Sequence, residues 1–119
     1  MRLLIVDDNA HFLEAARDLL ERDGITVVAV ASSSAEALRR IDEFRPDVVL
    51  VDVDLGDDSG LDLARRIVAA NRGAQSSVIL ISANQEQDLV DLIDGSSAIG
   101  FVAKSELSGR AIFALLARE

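Results

Sequence analysis

The chain has 119 residues, half of them hydrophobic, and a formal net charge of −9. This length predicts a single domain, residues 1–119, with enough apolar content for a core. The negative charge argues against direct binding of nucleic-acid phosphates, and the lack of cysteine excludes disulfides and cysteine-ligated metals. No apolar run approaches ~18 residues, so we expect no membrane span, no signal peptide and a cytoplasmic location.

Short apolar runs alternate along the chain with segments whose hydrophobic residues recur at the helical period. In chain order, the predicted elements are strand 2–6, helix 9–24, strand 25–30, helix 33–44, strand 47–51, helix 59–71, strand 77–81, helix 86–94, strand 98–103 and helix 108–119. Gly24 ends the first helix, and Ser33 with Glu36 forms a capping box at the start of the second. The first helix is predicted to bury one face, formed by Phe12, Leu13, Ala16, Leu19 and Leu20.

Strands that are apolar throughout need helices on both faces of their sheet, which predicts a parallel sheet. Right-handed crossovers then give an α/β, doubly wound, five-stranded parallel sheet. The expected fold is the flavodoxin-like (βα)5 arrangement with strand order 2-1-3-4-5. Ligands of such folds bind at the carboxyl ends of the strands, so the residues there are the candidates for a functional site.

Polar side chains follow four of the five predicted strands. They are Asp7 and Asp8 after the first strand, Asp52 and Asp54 after the third, Ser82 after the fourth and Lys104 after the fifth. Clustered carboxylates need a counter-charge. Because no His or Cys stands beside them, we expect a hard cation, Mg²⁺, with Asp7 and Asp8 among its ligands. A free aspartate beside that ion is a nucleophile for a phosphoryl group, with Lys104 and Ser82 neutralising and hydrogen-bonding its oxygens.

These residues and their spacing resemble the receiver domain of two-component response regulators over essentially the whole chain. The segments that carry the resemblance are LLIVDDN (3–9), PDVVLVDVDLGDDSGLDLARRI (46–67), VILISA (78–83) and GFVAKSEL (100–107). The resemblance implies Asp52 as the phosphoacceptor, Ser82 and Lys104 as its partners and Phe101 as a switch aromatic. It also implies that Asp8 and Asp52 bind Mg²⁺ directly, with the backbone carbonyl of Asp54, whereas Asp7 acts through water.

The resemblance further implies a signalling switch that a sensor histidine kinase or phosphotransfer protein phosphorylates. The altered surface would comprise the fourth helix, fifth strand and fifth helix, which could also form a homodimer. Such a domain catalyses only its own phosphotransfer and dephosphorylation, and Asp54 and Asn84, two residues beyond Asp52 and Ser82, are predicted to tune the second step. The KSEL run is similar to receivers joined to helix-turn-helix DNA-binding domains, so a free-standing receiver and a truncated regulator both remain open.

Two positions depart from the family pattern. Gly56 and Ser105 stand where many members have proline, and the second departure predicts a trans peptide after Lys104.

Two other functions compete with the switch. Asp52 and Asp54 resemble the Asp-x-Asp pair of haloacid-dehalogenase-type phosphatases, although here the pair follows the third strand and no cap segment is present. A phosphorylation-independent interaction module is the third interpretation, and the retained acceptor and acidic pair argue against it.

Overall fold

The computed structural model describes residues 1–70, 76–83 and 98–117. Within these ranges, five strands form one sheet: β1 (Arg2–Val6), β2 (Thr26–Ala31), β3 (Val48–Asp52), β4 (Ser77–Ser82) and β5 (Gly100–Ala103). All four pairings are parallel, and the strands lie in the order β2-β1-β3-β4-β5. The flavodoxin-like order predicted from the sequence is confirmed.

The described helices connect these strands. They are α1 (Ala10–Arg22), α2 (Ser34–Phe44), α3 (Gly60–Ala70) and the C-terminal helix (Gly109–Leu116), and a 3-10 turn spans Lys104–Glu106. A short antiparallel pair, Asp54–Leu55 with Asp58–Ser59, follows β3 and was not predicted. The predicted helix 86–94 lies outside the described residues. No helix in the described part of the chain has the length and apolarity required to cross a membrane.

The core has two layers, one on each face of the sheet. Leu3 and Ile5 of β1 pack with α1 and the C-terminal helix, whereas Leu4 and Val6 pack with α2 and α3. Successive residues of a strand point to opposite faces, so a strand covered on both sides has to be apolar at every position. The predicted buried face of α1 is wrong at Leu19, whose exposure of 36% places it at the edge of that face.

Candidate functional site

The carboxyl ends of β1, β3, β4 and β5 surround one cavity of about 250 Å³. The residues that line it are Asp8, Asn9, Asp52, Asp54, Gly56, Ser82, Ala83 and Lys104. The sheet order brings these ends together because β1, β3, β4 and β5 are neighbours in it. Most of the site residues predicted from the sequence therefore meet at one place, where the strand order reverses.

Three carboxylates form the acidic part of the site. Oxygen atoms of Asp7, Asp8 and Asp52 all lie within 4.8 Å of one another. Asp7 is fully buried and Asp52 is 5% exposed, whereas Asp8 is open to solvent. A set of oxygen donors beside a cavity fits Mg²⁺, which binds one or two carboxylates and retains several waters.

Lys104 supplies the positive charge. Its Nζ lies 2.6 Å from Asp7 Oδ2 and 3.3 Å from Asp52 Oδ2, so one ammonium group bridges the ends of β1 and β3. Burial alone would lower the pKa of Lys104, but its hydrogen bonds to Asp7 and Asp52 and the negative charges of both carboxylates outweigh burial and raise that pKa. The peptide bond between Lys104 and Ser105 is trans.

The carboxylate of Asp52 is subject to opposing influences on its pKa. Burial raises its pKa to about 6, and the negative charge of Asp7 acts in the same direction. The backbone N–H of Asp54, which donates to Asp52 Oδ1 at 3.2 Å, and the ammonium of Lys104 oppose this rise. At neutral pH the group is therefore mainly ionised, and it is less stabilised as an anion than an exposed aspartate.

Two glycines shape the wall beside Asp52. Gly56 has φ +71°, a left-handed conformation that proline, with φ fixed near about −65°, cannot adopt. A Cβ at Gly56 would lie 3.0 Å from Asp8 Oδ2, and a Cβ at Gly60 would overlap the backbone carbonyl of Asp52. The departure from proline at position 56 thus matches a turn that only a residue tolerant of positive φ can form.

The family model of the response regulator receiver domain matches residues 3–115. The chain belongs to this family. Among curated relatives, the receiver is 31% identical to the chemotaxis protein CheY of Bacillus subtilis, over 96% of this chain and 93% of that protein. It is 34% identical to a protein-glutamate methylesterase/protein-glutamine glutaminase of Koribacter versatilis, over 89% of this chain but only 29% of the relative.

Solved structures agree with this assignment. The receiver superimposes on a two-component response regulator of the LuxR family from Aurantimonas sp. SI85-9A1 with a TM-score of 0.87 and 30% identity, covering 99% of this chain and 86% of the other. The protein is thus a phosphorylation-dependent signalling switch of the two-component type. The alternative phosphatase interpretation is not supported, because the family model and the related structures are those of receiver domains.

The remaining predicted residues differ in what the structure says of them. Ser82 is half-buried at the end of β4 and faces the cavity. Phe101 is half-buried on β5 and packs against the core layer under α2 and α3. Asn84 lies outside the described residues.

Phe12 is a neighbour of the site that the sequence interpretation assigned to packing alone. The centre of its ring lies 4.4 Å from Lys104 Nζ. Its place at the start of α1, one turn after the acidic pair, was the signal that could have indicated this contact.

Proposed function

We propose that this receiver accepts a phosphoryl group on Asp52 and that Asp52 is its sole phosphoacceptor. The observation that carries the proposal is the position of Asp52: its carboxylate is nearly buried, bound to Lys104, and opens onto the cavity at the switch point of the sheet. Asp54 lies near it but is exposed, and its own Oδ1 accepts the N–H of Gly56 at 3.3 Å.

The phosphoryl donor is a phosphohistidine of a sensor kinase or of a phosphotransfer protein. A carboxylate oxygen of Asp52 forms the new bond to phosphorus while the histidine N–P bond breaks, and the released imidazole nitrogen takes a proton from solvent. The hydrogen bond from the N–H of Asp54 holds Oδ1 of the nucleophile in place during the approach. This reaction is mainly positioning and charge neutralisation, and both are built into the site.

Mg²⁺ fits the acidic cluster, and when bound it supplies neutralisation of the charge on the phosphoryl oxygens. We assign direct binding to the side chains of Asp8 and Asp52 and to the backbone carbonyl of Asp54. Asp7 contributes through water, because its Oδ2 already contacts Lys104 at 2.6 Å and its Oδ1 accepts the N–H of Asn9 at 2.9 Å.

The output passes through Ser82 and Phe101. Ser82 stands at the cavity end of β4, and Phe101 lies on the adjacent β5, paired with Leu80 in the sheet. A hydroxyl drawn toward the phosphoryl group shifts the balance between two packings of Phe101 and so alters the surface of β5 and the C-terminal helix. That surface binds the downstream partner, either a second copy of the receiver or a linked output domain.

The test is covalent labelling by acetyl phosphate with Mg²⁺, followed by intact-mass measurement. The wild-type chain should gain one phosphoryl group, which hydroxylamine removes, and Asp52→Asn should gain none. Asp57→Asn, which changes an exposed carboxylate of the nearby turn, is the matched control and should be labelled like wild type. Full labelling of Asp52→Asn would refute the assignment.

A further inference from the structure

We infer that Phe12 is a positioning residue for Lys104, holding its ammonium group against the face of an aromatic ring. The inference rests on the role proposed above for Lys104. The distance of 4.4 Å from Nζ to the ring centre is well inside the range of about 6 Å over which a cation–π interaction is significant. The side chain of Lys104 is only 17% exposed, so solvent weakens this attraction little.

The ammonium group needs such a platform because its other contacts change during the reaction. Lys104 carries its charge on a flexible four-carbon stem. Of its two carboxylate partners, Asp52 at 3.3 Å becomes an acyl phosphate, and its negative charge then lies on the phosphoryl oxygens instead of the carboxylate. The ring of Phe12 has the same charge distribution before and after phosphorylation. It therefore holds Nζ near the reacting group in both states.

The same turn that fixes Asp7 also fixes Phe12. Asp7 Oδ1 accepts the N–H of Asn9 at 2.9 Å, and Asn9 Oδ1 accepts the N–H of Phe12 at 3.2 Å. Lys104 contacts both residues that this turn holds in place, because its Nζ lies over the ring of Phe12 and beside Asp7 Oδ2. The turn from β1 into α1 thus determines two of the three contacts that Nζ makes among the described residues, independently of Asp52.

Phe12 also packs against the core layer under α1, so the test has to separate packing from the ring–ammonium contact. The initial rate of labelling by acetyl phosphate with Mg²⁺ is measured for Phe12→Leu and Phe12→Tyr. We expect Leu, which keeps the apolar volume but has no aromatic face, to lower the rate about fivefold. Tyr, which keeps the face, should stay within about twofold of wild type.

Phe44→Leu is the matched control, because Phe44 is also half-buried but lies at the end of α2, outside the site. Its labelling rate should equal that of wild type. If Phe12→Leu reacts as fast as Phe44→Leu, or if Phe12→Tyr is slowed as much as Phe12→Leu, the inference is wrong.

A second measurement does not depend on phosphorylation. Unfolding equilibrium constants of wild type, Phe12→Leu, Lys104→Met and the double variant form a double-mutant cycle. We expect the two effects to be coupled, with the double variant about threefold to fivefold more stable than independent effects would give. Independent effects would overturn the inference even if Asp52 is labelled normally, whereas a chain that is never labelled but shows the coupling would contradict the proposed function alone.

Discussion

A carboxylate that has to react as an anion while nearly buried lowers the stability of the fold, and Asp52 is such a group. Its pKa is about 6 in the folded chain against 3.8 for an ordinary aspartate, so between these pH values the folded state binds more protons than the unfolded one. Stability should therefore fall as the pH rises through this window. The difference in pKa corresponds to up to about 3 kcal/mol above pH 6.

We accordingly expect Asp52→Asn to be more stable than wild type at pH 8 in the presence of a chelator, by about 1–3 kcal/mol. This gain should shrink toward zero as the pH falls below 4. Urea denaturation at several pH values, with Asp57→Asn as the control that shows no such trend, is the measurement. A gain that is the same at pH 4 and pH 8 would mean that the charge of Asp52 is not its cause.

Asp7 and Asp8 are adjacent in sequence, but one is buried and the other exposed. We therefore expect the removal of Asp7 to affect mainly the stability of the fold and the removal of Asp8 to affect mainly Mg²⁺ binding. Asp7 is fully buried and paired with Lys104, so Asp7→Asn should destabilise the fold by about 3 kcal/mol, because it removes the nearer of the two carboxylates that pair with the mostly buried ammonium group. Asp8 is exposed, and Asp8→Asn should change stability little but weaken Mg²⁺ binding at least tenfold.

Calorimetric Mg²⁺ titration and chemical denaturation of both variants test this division. Isothermal titration is required because the chain has no Trp or Tyr whose fluorescence could report binding. The assignment of Asp8 as the direct ligand fails if Asp7→Asn loses more Mg²⁺ affinity than Asp8→Asn while remaining folded.

At the scale of elements, the end of β3 and the start of α3 are in such close contact that a single methyl group would separate them. A Cβ at Gly60 would overlap the carbonyl oxygen of Asp52 and also approach the Cα of Val53 to 2.9 Å, and both are backbone atoms that cannot rotate away. Gly24, at the end of α1, has φ +89° but no atom within 4 Å of such a Cβ. Gly60 is therefore required because no side-chain atom fits beside the backbone of Asp52, whereas Gly24 is required because its φ is positive.

Gly24→Ala should therefore cost about 1–2 kcal/mol through backbone strain alone and leave phosphorylation unchanged. Gly60→Ala should cost more than this and also slow labelling of Asp52, because the strand end that carries the nucleophile has to move. Denaturation and acetyl phosphate labelling of the two variants distinguish the cases. Equal rates of labelling would show that the contact of Gly60 does not position Asp52.

The elements themselves were largely predictable, because strands buried on both faces appear in the sequence as runs of apolar residues. Five such strands alternating with helices fit the flavodoxin-like strand order. One half of the predicted capping box is present, since Ser33 Oγ accepts the N–H of Glu36 at 3.2 Å. In the other half, Glu36 accepts the N–H of Ser32 at 2.7 Å instead of the N–H of Ser33. The short antiparallel pair after β3 escaped prediction because two-residue strands have no periodicity to detect.

The site was predictable for a different reason, since polar residues at strand ends are exceptions to the apolar pattern. The resemblance assigned different roles to Asp7 and Asp8, but the residue pattern could not supply their difference in burial, which depends on which way each side chain turns from the end of β1. The contact of Phe12 with Lys104 had only one sequence signal, the place of Phe12 one turn after the acidic pair, because it joins two segments 92 residues apart whose distance the folded sheet defines.

At the scale of the whole molecule, the site and the output surface are connected through β4 and β5. Asp52 pairs with Ile81 across β3 and β4, and Ser82 pairs with Ala103 across β4 and β5. The pairing of Ser82 with Ala103 brings the hydroxyl next to the strand that carries Phe101. A change in the position of Ser82 can thus reach β5 through directly paired backbone.

Binding of beryllofluoride, a phosphate mimic, should therefore shift amide NMR signals beyond the cavity, through Phe101 and the C-terminal helix as far as Leu116. The physical reason is that the attraction of the Ser82 hydroxyl to the phosphate mimic favours one of two packings of β5. Ser82→Ala should still bind the mimic, since Asp52 and Lys104 are intact, but the shifts in residues 100–117 should be at least halved. Ser77→Ala, at the opposite end of β4, is the control and should behave like wild type. If the NMR shifts of the wild-type protein are confined to residues of the cavity, binding at Asp52 does not change the structure of β5. The proposed path through Ser82 and Phe101 would then be wrong.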